Sequence, residues 1–439
     1  MRLILAILLG KLIGYLTRLF RLGGGSAAPG LYALSIEPDL VTKLAAKIPK
    51  NIIITGTNGK TTTAKMLAHF AKNAGLKVIR NHTGSNLERG IASTLIANYQ
   101  LLTTNYQLDL GIWELDEAAF NTIAPKLKPD IIVFLNVFRD QLDRYGEIDT
   151  VVKNWCKTLQ ILNPKTIVLV NGDDANTAKL ANCFKGRIQK FGVKDYKISG
   201  ESIEHVKEKE NLDFEAKNVK LNGLEGSTFQ LLTTNYQLPT TLPLPGLYHI
   251  YDALAAFACA DKLGLSLSKL ASSLKSYSPA FGRMEKLPFG YIFLIKNPAG
   301  ATQVFETIAP NLKPDDRLLL ALNDNIADGT DVSWIWDTEF EQLLSSSLRG
   351  AKPASTQRGE RRGNLYISGT RACDLAVRLK YAGFDPKNII IEPDLQNTLK
   401  EARTGLKGRL FILPTYTAML ELQKILAKSG IKKEYWKEE

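Results

Sequence analysis

The chain has 439 residues, 45% hydrophobic and 23% charged, a composition that supports sizeable cores and excludes a disordered, collagen-like or disulfide-scaffold protein. At about 150 residues per domain, the length suggests roughly three domains. Lys and Arg number 56 against 44 Asp and Glu, a formal net charge of +12. That balance predicts affinity for polyanions (nucleic acid, an anionic membrane or phosphorylated ligands) without choosing among them. The four cysteines, Cys156, Cys183, Cys259 and Cys373, form no Cys-x-x-Cys pair. They read as small core hydrophobes in a reducing compartment. The four histidines are equally scattered, and no structural zinc is expected.

The first apolar run, Leu3–Gly10, is too short to span a bilayer, which needs about 20 residues. The pattern resumes after Lys11 through Leu12, Ile13, Tyr15, Leu16, Leu19 and Phe20, at helical spacing with Arg18 and Arg21 interspersed. Two readings stand: a helix docked on the next domain, or an interfacial helix touching anionic lipid. Gly23, Gly24, Gly25, Pro29 and Gly30 end the helix and begin a loop.

Residues 51–63 read NIIITGTNGKTTT. The β-branched run Ile52, Ile53, Ile54 and Thr55 predicts a buried strand, and AKMLAHFAKNAG after the loop predicts a helix ending at Gly75. Strand, Gly-rich turn, Lys-Thr and helix make a phosphate-binding loop: Gly56, Thr57, Asn58, Gly59, Lys60, Thr61 and Thr62. Glycines let backbone N–H groups approach phosphate oxygens, and the helix N-terminus adds a favourable dipole. Lys60 can reach terminal phosphates and the Thr61 hydroxyl can ligate Mg²⁺. The general pattern has one more glycine, at the position of Ile54. The alternative is a chance Gly-rich turn.

The string T-G-T-N-G-K-T-T resembles the ATP loop of the Mur ligases and folylpolyglutamate synthases. Those families form amide bonds through an acyl-phosphate on a three-domain architecture. The implied fold is α/β: a Mur ligase-like P-loop ATPase central domain (49–280) with a Rossmann-like α/β C-terminal domain (281–439), preceded by an N-terminal helix and loop segment (1–48).

After an apparent loop at 97–108, LGIWELDEA puts Glu114, Asp116 and Glu117 at the end of a predicted strand, where carboxylates can hold Mg²⁺ beside a phosphate loop. By resemblance, Glu114 is the metal ligand; a solvated acidic turn is the plain alternative. The strand at 131–135 leads into Asn136, Arg139, Asp140 and Asp143, ligand-loop positions of an α/β domain. Gln141 stands where Mur ligases commonly carry a His, which weakens any second metal ligand there. TIVLVNGDD repeats the logic with Asn171, Gly172, Asp173 and Asp174. LPGLYHIYDALAA (244–256) resembles the Gly-x-x-Asn-x-x-Asn-x-x-Ala-Ala segment, with His249 and Asp252 at the two Asn positions. The resemblance puts Asp252 toward the nucleotide; a polar helix start with an Ala-rich buried face is an equally good structural reading.

FGRME (281–285) looks like the Mur-ligase boundary before the C-terminal domain. LIKNPAG with Asn297, ALNDNIADGTDVSWIWDTEFE, ISGTRACDLAVRLKYAG and ILPTYTAML then closely resemble the MurT-type subunits of lipid II isoglutaminyl synthase. The resemblance covers nearly the whole chain. It implies ATP and Mg²⁺ as cofactors, Asn297 among the nucleotide contacts, lipid II at the membrane surface as substrate and a GatD-like glutaminase as partner. It also implies an Asp completing the partner's Cys-His pair across the interface: Asp337 of Trp-Ile-Trp-Asp, with Asp331 and Asp328 as alternatives. Physically, LLLALN is a buried strand ending in an acidic loop. Trp334 and Trp336 would share one face if the segment is extended; core is the plain alternative for both.

Many MurT-like chains carry a four-Cys zinc ribbon between the Gly-Asp-Asp strand and the Leu-Pro-Gly segment; here 175–243 contain only Cys183. Residues 343–363 read as a Ser/Gly/basic insertion. Five basic residues against Glu360 give it +4 of the total +12. QLLTTNYQL occurs at 100–108 and again at 230–238, and both copies read as strand or hairpin insertions without catalytic duty.

The expected activity is ATP-dependent amidation of the D-glutamate α-carboxylate, with Lys60, Glu114 and Asp337 in the leading roles, in a cytoplasmic protein peripheral to the cell membrane. The alternatives are a Mur-type amino-acid ligase without a glutaminase, and a non-enzymatic nucleotide-gated scaffold at the membrane. Nucleic acid is not a leading partner.

Overall fold

The computed structural model describes residues 1–20, 27–81, 85–103, 108–138, 148–194, 211–279, 282–344 and 364–432. Arg139, Asp140, Gln141 and Asp143, and all but the start of the 343–363 insertion, lie outside them.

Two sheets organise the molecule. The first has nine strands in the order β2-β3-β1-β4-β5-β6-β7-β8-β9: β1 (Lys50–Thr55), β2 (Val78–Arg80), β3 (Leu110–Leu115), β4 (Ile131–Phe134), β5 (Ile167–Asn171), β6 (Arg187–Val193), β7 (Phe214–Leu221), β8 (Ser227–Thr233) and β9 (Gln237–Leu242). It is parallel from β2 through β7 and ends in the antiparallel ladder β7-β8-β9. Central strands such as β1, β3 and β4 are buried on both faces, which is why apolar residues stand at consecutive positions, as in Ile52, Ile53 and Ile54 and in Ile131–Phe134, rather than alternating. One face packs on the helices Lys60–Asn73 and Leu247–Lys262, the other on Glu117–Leu127 and Ile148–Ile161.

The second sheet has the order β10-β11-β15-β12-β13-β14, from β10 (Glu285–Leu287), β11 (Gly290–Ile292), β12 (Arg317–Ala321), β13 (Leu365–Ser368), β14 (Ile389–Ile391) and β15 (Leu410–Pro414). Only the β10-β11 pair is antiparallel. Helices Pro298–Ile308 and Ala372–Tyr381 cover one face, Leu395–Arg403 and Tyr416–Lys428 the other. This is the expected α/β architecture: a phosphate-loop domain followed by a Rossmann-like one.

Among the described residues, three helices precede β1: α1 (Arg2–Leu19), α2 (Ala28–Ile36) and α3 (Leu40–Ala45). The docked-helix reading of the N-terminus holds for one side of α1, where Ala6, Ile7 and Gly10 are buried. Glycine is required in this helical stack. A Cβ on Gly30 of α2 would sit 1.9 Å from the Arg89 carbonyl oxygen in the helix Glu88–Ala97, and Gly30 N–H donates to Ser93 Oγ at 2.8 Å.

Several expectations need correction. Cys156 and Cys183 form a disulfide (Cα–Cα 5.1 Å) rather than two free thiols. The helix Ile148–Ile161 and the turn Lys179–Asn182 bring together residues that no spacing motif links. Cys259 is buried as expected, and Cys373 is exposed rather than core. The repeated nonapeptide takes two structures. In the described part of its first copy, Tyr99–Thr103 is helical rather than loop or strand, and residues 104–107 lie outside the described residues. The second copy spans β8, a turn and β9. Trp334 and Trp336 lie in the 3-10 turn Ser333–Asp337, not in an extended segment, so they do not share a face: Trp334 is partly buried and Trp336 is 50% exposed. The presumed insertion also begins later than 343, because Leu343 is a buried core residue in the turn Phe340–Leu344.

Gly30→Val should lower stability by about 1–3 kcal/mol through overpacking at a backbone-to-backbone contact. Urea denaturation of the full chain checks this; an unchanged midpoint would mean that α2 is not seated as described.

Candidate active site

Parallel strands deliver their C-terminal ends to one edge of a sheet, and ligand sites form there. β1 ends in the Gly-rich loop and runs directly into the helix Lys60–Asn73. Gly56 has φ +136° and Gly59 φ +90°. Those conformations suit glycine, and space enforces them: a Cβ on Gly59 would lie 2.2 Å from Asp252 Oδ1. Asn136, just past β4, holds the loop. Its Oδ1 accepts from Asn58 N–H at 2.8 Å, its Nδ2 donates to the Asn58 carbonyl at 3.1 Å, and its own carbonyl accepts from Thr57 N–H at 3.0 Å.

Thr61 and Glu114 meet as the resemblance implies. Thr61 Oγ1 donates to Glu114 Oε2 at 2.7 Å. Glu114 is fully buried, its backbone paired reciprocally with the Asn81 side chain. Burial pushes its carboxyl above the usual range, against the Thr61 hydrogen bond and the charges of Arg80 and Lys60. Its Oε1 has no hydrogen-bond partner in the described structure, and Arg80 stands 3.9 Å away. A buried carboxylate oxygen left open beside a threonine hydroxyl fits a hard divalent cation. Among the described residues no three His, Cys, Asp or Glu side chains converge on one point. The donor set is therefore sparse, as expected for Mg²⁺ that keeps water and phosphate oxygens as its other ligands.

Lys60 is also buried. Its ammonium donates to the Gly56 and Thr57 carbonyls and lies 3.9 Å from Asp116 and 3.7 Å from Glu117. Burial raises the Glu117 carboxyl, but Lys60 and Lys296 outweigh it and hold Glu117 below the usual carboxylate range. The cationic loop end is thus charge-balanced.

The C-terminal domain closes the other side. Asn297 caps the helix Pro298–Ile308, accepting from Gly300 N–H at 2.8 Å. It also forms a reciprocal amide pair with Asn58 (3.2 and 3.0 Å), while Lys296 Nζ donates to the Thr57 carbonyl at 3.4 Å. A cleft between the domains is lined by Asn58, Thr62, His249, Arg283, Phe293 and Lys296, with Gly59 and Asp252 beside them. His249 Nδ1 pairs with Asp252 Oδ2 at 3.1 Å, and its buried Nε2 has no partner in the described structure. Burial lowers the His249 pKa and raises that of Asp252.

The structure thus gathers Gly56, Thr57, Asn58, Gly59, Lys60, Thr61, Thr62, Glu114, Asp252 and Asn297 in one region. Arg80, Asn81, His249 and Lys296 join them beyond the expected set. Asp173 and Asp174 are supports: Asp173 accepts from Tyr251 OH and Val193 N–H, and Asp174 caps the helix Ala175–Ala178 and accepts from Val137 N–H.

Asp337 is not part of this cluster. It ends the turn Ser333–Asp337 on the C-terminal domain and is exposed. Asp328 is buried and committed to Thr417, accepting from its N–H (2.8 Å) and its hydroxyl. Asp331 caps its own turn through Ser333 N–H at 2.8 Å. Beside Asp337, Trp336 lies 5.7 Å from the exposed Tyr381 ring, with the Arg378 guanidinium 5.7 Å over Trp336.

Residues 54–260 match the Mur ligase middle domain and 294–419 the MurT ligase C-terminal domain. The chain is 31% identical over 445 residues to the lipid II isoglutaminyl synthase (glutamine-hydrolyzing) subunit MurT of Streptococcus pneumoniae, covering 94% of this chain and 95% of that one. It is 28% identical to the corresponding subunit of Staphylococcus aureus, with 92% and 93% covered. Among solved structures, MurF of Acinetobacter baumannii shares the fold (TM-score 0.68, 19% identity, 92% of this chain and 81% of that chain). So does the Mycobacterium tuberculosis folylpolyglutamate synthase complexed with ADP (TM-score 0.63, 15% identity, 88% and 92%). The chain belongs to the MurT family of Mur ligase-type enzymes, the synthase subunits of lipid II isoglutaminyl synthase.

Proposed function

We propose that this chain amidates the α-carboxylate of D-glutamate in the lipid II stem peptide, through an acyl-phosphate made from ATP, using ammonia from a GatD-like glutaminase. The observation that carries the reading is the buried Thr61–Glu114 pair set beside Lys60 in the glycine loop. When bound, Mg²⁺ would be held by Thr61 and Glu114 and would withdraw charge from the terminal phosphates of ATP. Lys60 exchanges its loop carbonyls for phosphate oxygens and neutralises charge as the γ-phosphoryl is transferred. The loop N–H groups and the start of the helix Lys60–Asn73 cradle the phosphates. Asp252, Asn58 and Asn297 line the nucleotide side, and the Asn58–Asn297 pair couples loop geometry to domain closure. The carboxylate oxygen attacks the γ-phosphorus and ADP leaves. Ammonia then attacks the acyl carbon, and phosphate departs carrying one carboxylate oxygen.

Asp337 belongs to the second half of the chemistry. Its exposure, next to an aromatic patch of Trp336 and Tyr381, suits a residue that orients and charge-stabilises a histidine of the partner's Cys-His pair. Asp328 is less suited because Thr417 occupies both of its oxygens.

Three outcomes follow. Lys60→Ala should fold normally and lose amidation by at least about a hundredfold, since it removes charge stabilisation at the transferring phosphoryl group. The check is mass analysis of lipid II, where OH replaced by NH₂ lowers the mass by about one unit per amidation; near-normal amidation would sink the mechanism. Asp337→Asn should abolish glutamine-dependent amidation while sparing the reaction with free ammonium. Equal loss with both nitrogen sources would contradict its assignment to the partner's histidine. Glu114 ligates only when ionised, and its raised pKa means that protons compete with the metal as pH falls. Apparent Mg²⁺ affinity, read by titration of ATP turnover, should therefore weaken on acidification. In Glu114→Gln it should be poor throughout and lose that pH response.

A further inference from the structure

The N-terminal helix is apolar on both sides, but the fold covers only one. Ala6, Ile7 and Gly10 are buried against α2 (Ala28–Ile36) and the helix Glu88–Ala97. Ile4, Leu8, Leu12, Tyr15 and Leu19 recur at intervals of three or four along the other side, each between 53 and 62% exposed. Leu31 and Tyr32 of α2 are exposed as well. Of the twenty large hydrophobic side chains exposed among the described residues, eleven fall within the first 32. A helix of a water-soluble surface carries charge on its outer face, whereas the exposed stripe Ile4, Leu8, Leu12, Tyr15 and Leu19 is apolar.

Charge indicates what covers it. Before Glu37 the chain has no acidic residue, while Arg2, Lys11, Arg18 and Arg21 give this segment +4. An apolar stripe that carries tyrosine, on a helix with basic residues and no acidic residue in its sequence, complements an anionic lipid interface. Spanning is excluded for it: no helix among the described residues is long and apolar enough to cross a membrane. The placement also relates to the chemistry. The helix Glu88–Ala97 that underlies α1 and α2 starts just after Asn86, whose carbonyl accepts from Asp116 N–H at 3.2 Å beside the loop lysine. One helix thus connects the apolar face to the carboxylate edge of the site.

We propose that α1, with the adjoining exposed part of α2, is an in-plane anchor that seats the protein on an anionic bilayer. The choice of a bilayer over a protein partner rests in part on the lipid-linked substrate argued above, but the test requires neither substrate nor ATP. The full chain is sedimented with vesicles of phosphatidylglycerol and phosphatidylcholine, and with phosphatidylcholine alone. Binding to the anionic vesicles should exceed that to neutral ones and weaken with added salt. Leu8→Glu/Leu12→Glu, at exposed positions, should keep the wild-type melting curve and partition about tenfold or more less, because it puts charge where lipid contact is needed. Arg2→Gln/Lys11→Gln should lose most of the preference for anionic lipid. Lys60→Ala should bind vesicles like the wild type, so failure of the amidation chemistry would be seen separately. The proposal is overturned if the wild type ignores anionic vesicles, if the double glutamate variant binds them equally well, or if that variant only turns a dimer into a monomer.

Discussion

The hydrogen bond from Thr61 to the buried Glu114 joins the first turn of a helix to the end of a strand that lies fifty residues further along the chain. It forms because β1 and β3 are adjacent and parallel, with Thr55 opposite Leu115 and Ile54 opposite Glu114. That register sets the depth of the carboxylate relative to the glycine loop. β4 on the other side of β1 brings Asn136 to lock the loop backbone. A buried polar loop is costly without partners, and the neighbouring strands offset the cost by satisfying its N–H and C=O groups. What they leave open among the described residues includes Glu114 Oε1 and the Thr62 hydroxyl, which on the proposed reading would meet ligand atoms.

The second domain adds coupling to this arrangement. Asn297 caps its own helix and at the same time pairs with Asn58 of the loop. A movement of the C-terminal domain is therefore felt at the phosphate loop without any relay through the sheet. The same domain carries Asp337 and the aromatic patch on an outer surface, outside the loop cluster. On the proposed reaction, an acyl group activated in one place and a nitrogen delivered by another protein would call for this kind of link between domain position and loop geometry.

Legibility of these features in the sequence follows from how local their causes are. The glycine loop is readable because strand, glycines, lysine and helix are contiguous, whereas only the family resemblance singles out Glu114 from Asp116 and Glu117 at the end of the next strand. Arg80 and Asn81 were not, since β2 is three residues long and its importance comes from lying beside β3. His249 was visible only as a departure from the family pattern; its pairing with Asp252 is a helical i, i+3 contact made inside the fold. The disulfide and the two conformations of QLLTTNYQL were hidden for a stronger reason. The second copy is drawn into strands by β7, and Thr233 Oγ1 accepts from the N–H groups of Asn235 and Tyr236 in its turn. The described part of the first copy lies in the short helix Tyr99–Thr103, which follows the helix Glu88–Ala97 closely. Tertiary context overrides identical local propensity.

The acyl-phosphate is the centre of the chemical account, and oxygen tracing tests it most directly. Substrate labelled with ¹⁸O in the D-glutamate α-carboxylate would be amidated by the chain with its glutaminase partner, and the released phosphate would be analysed by mass. The account predicts one labelled oxygen in each phosphate that accompanies an amidation. Unlabelled phosphate alongside full amidation would contradict it.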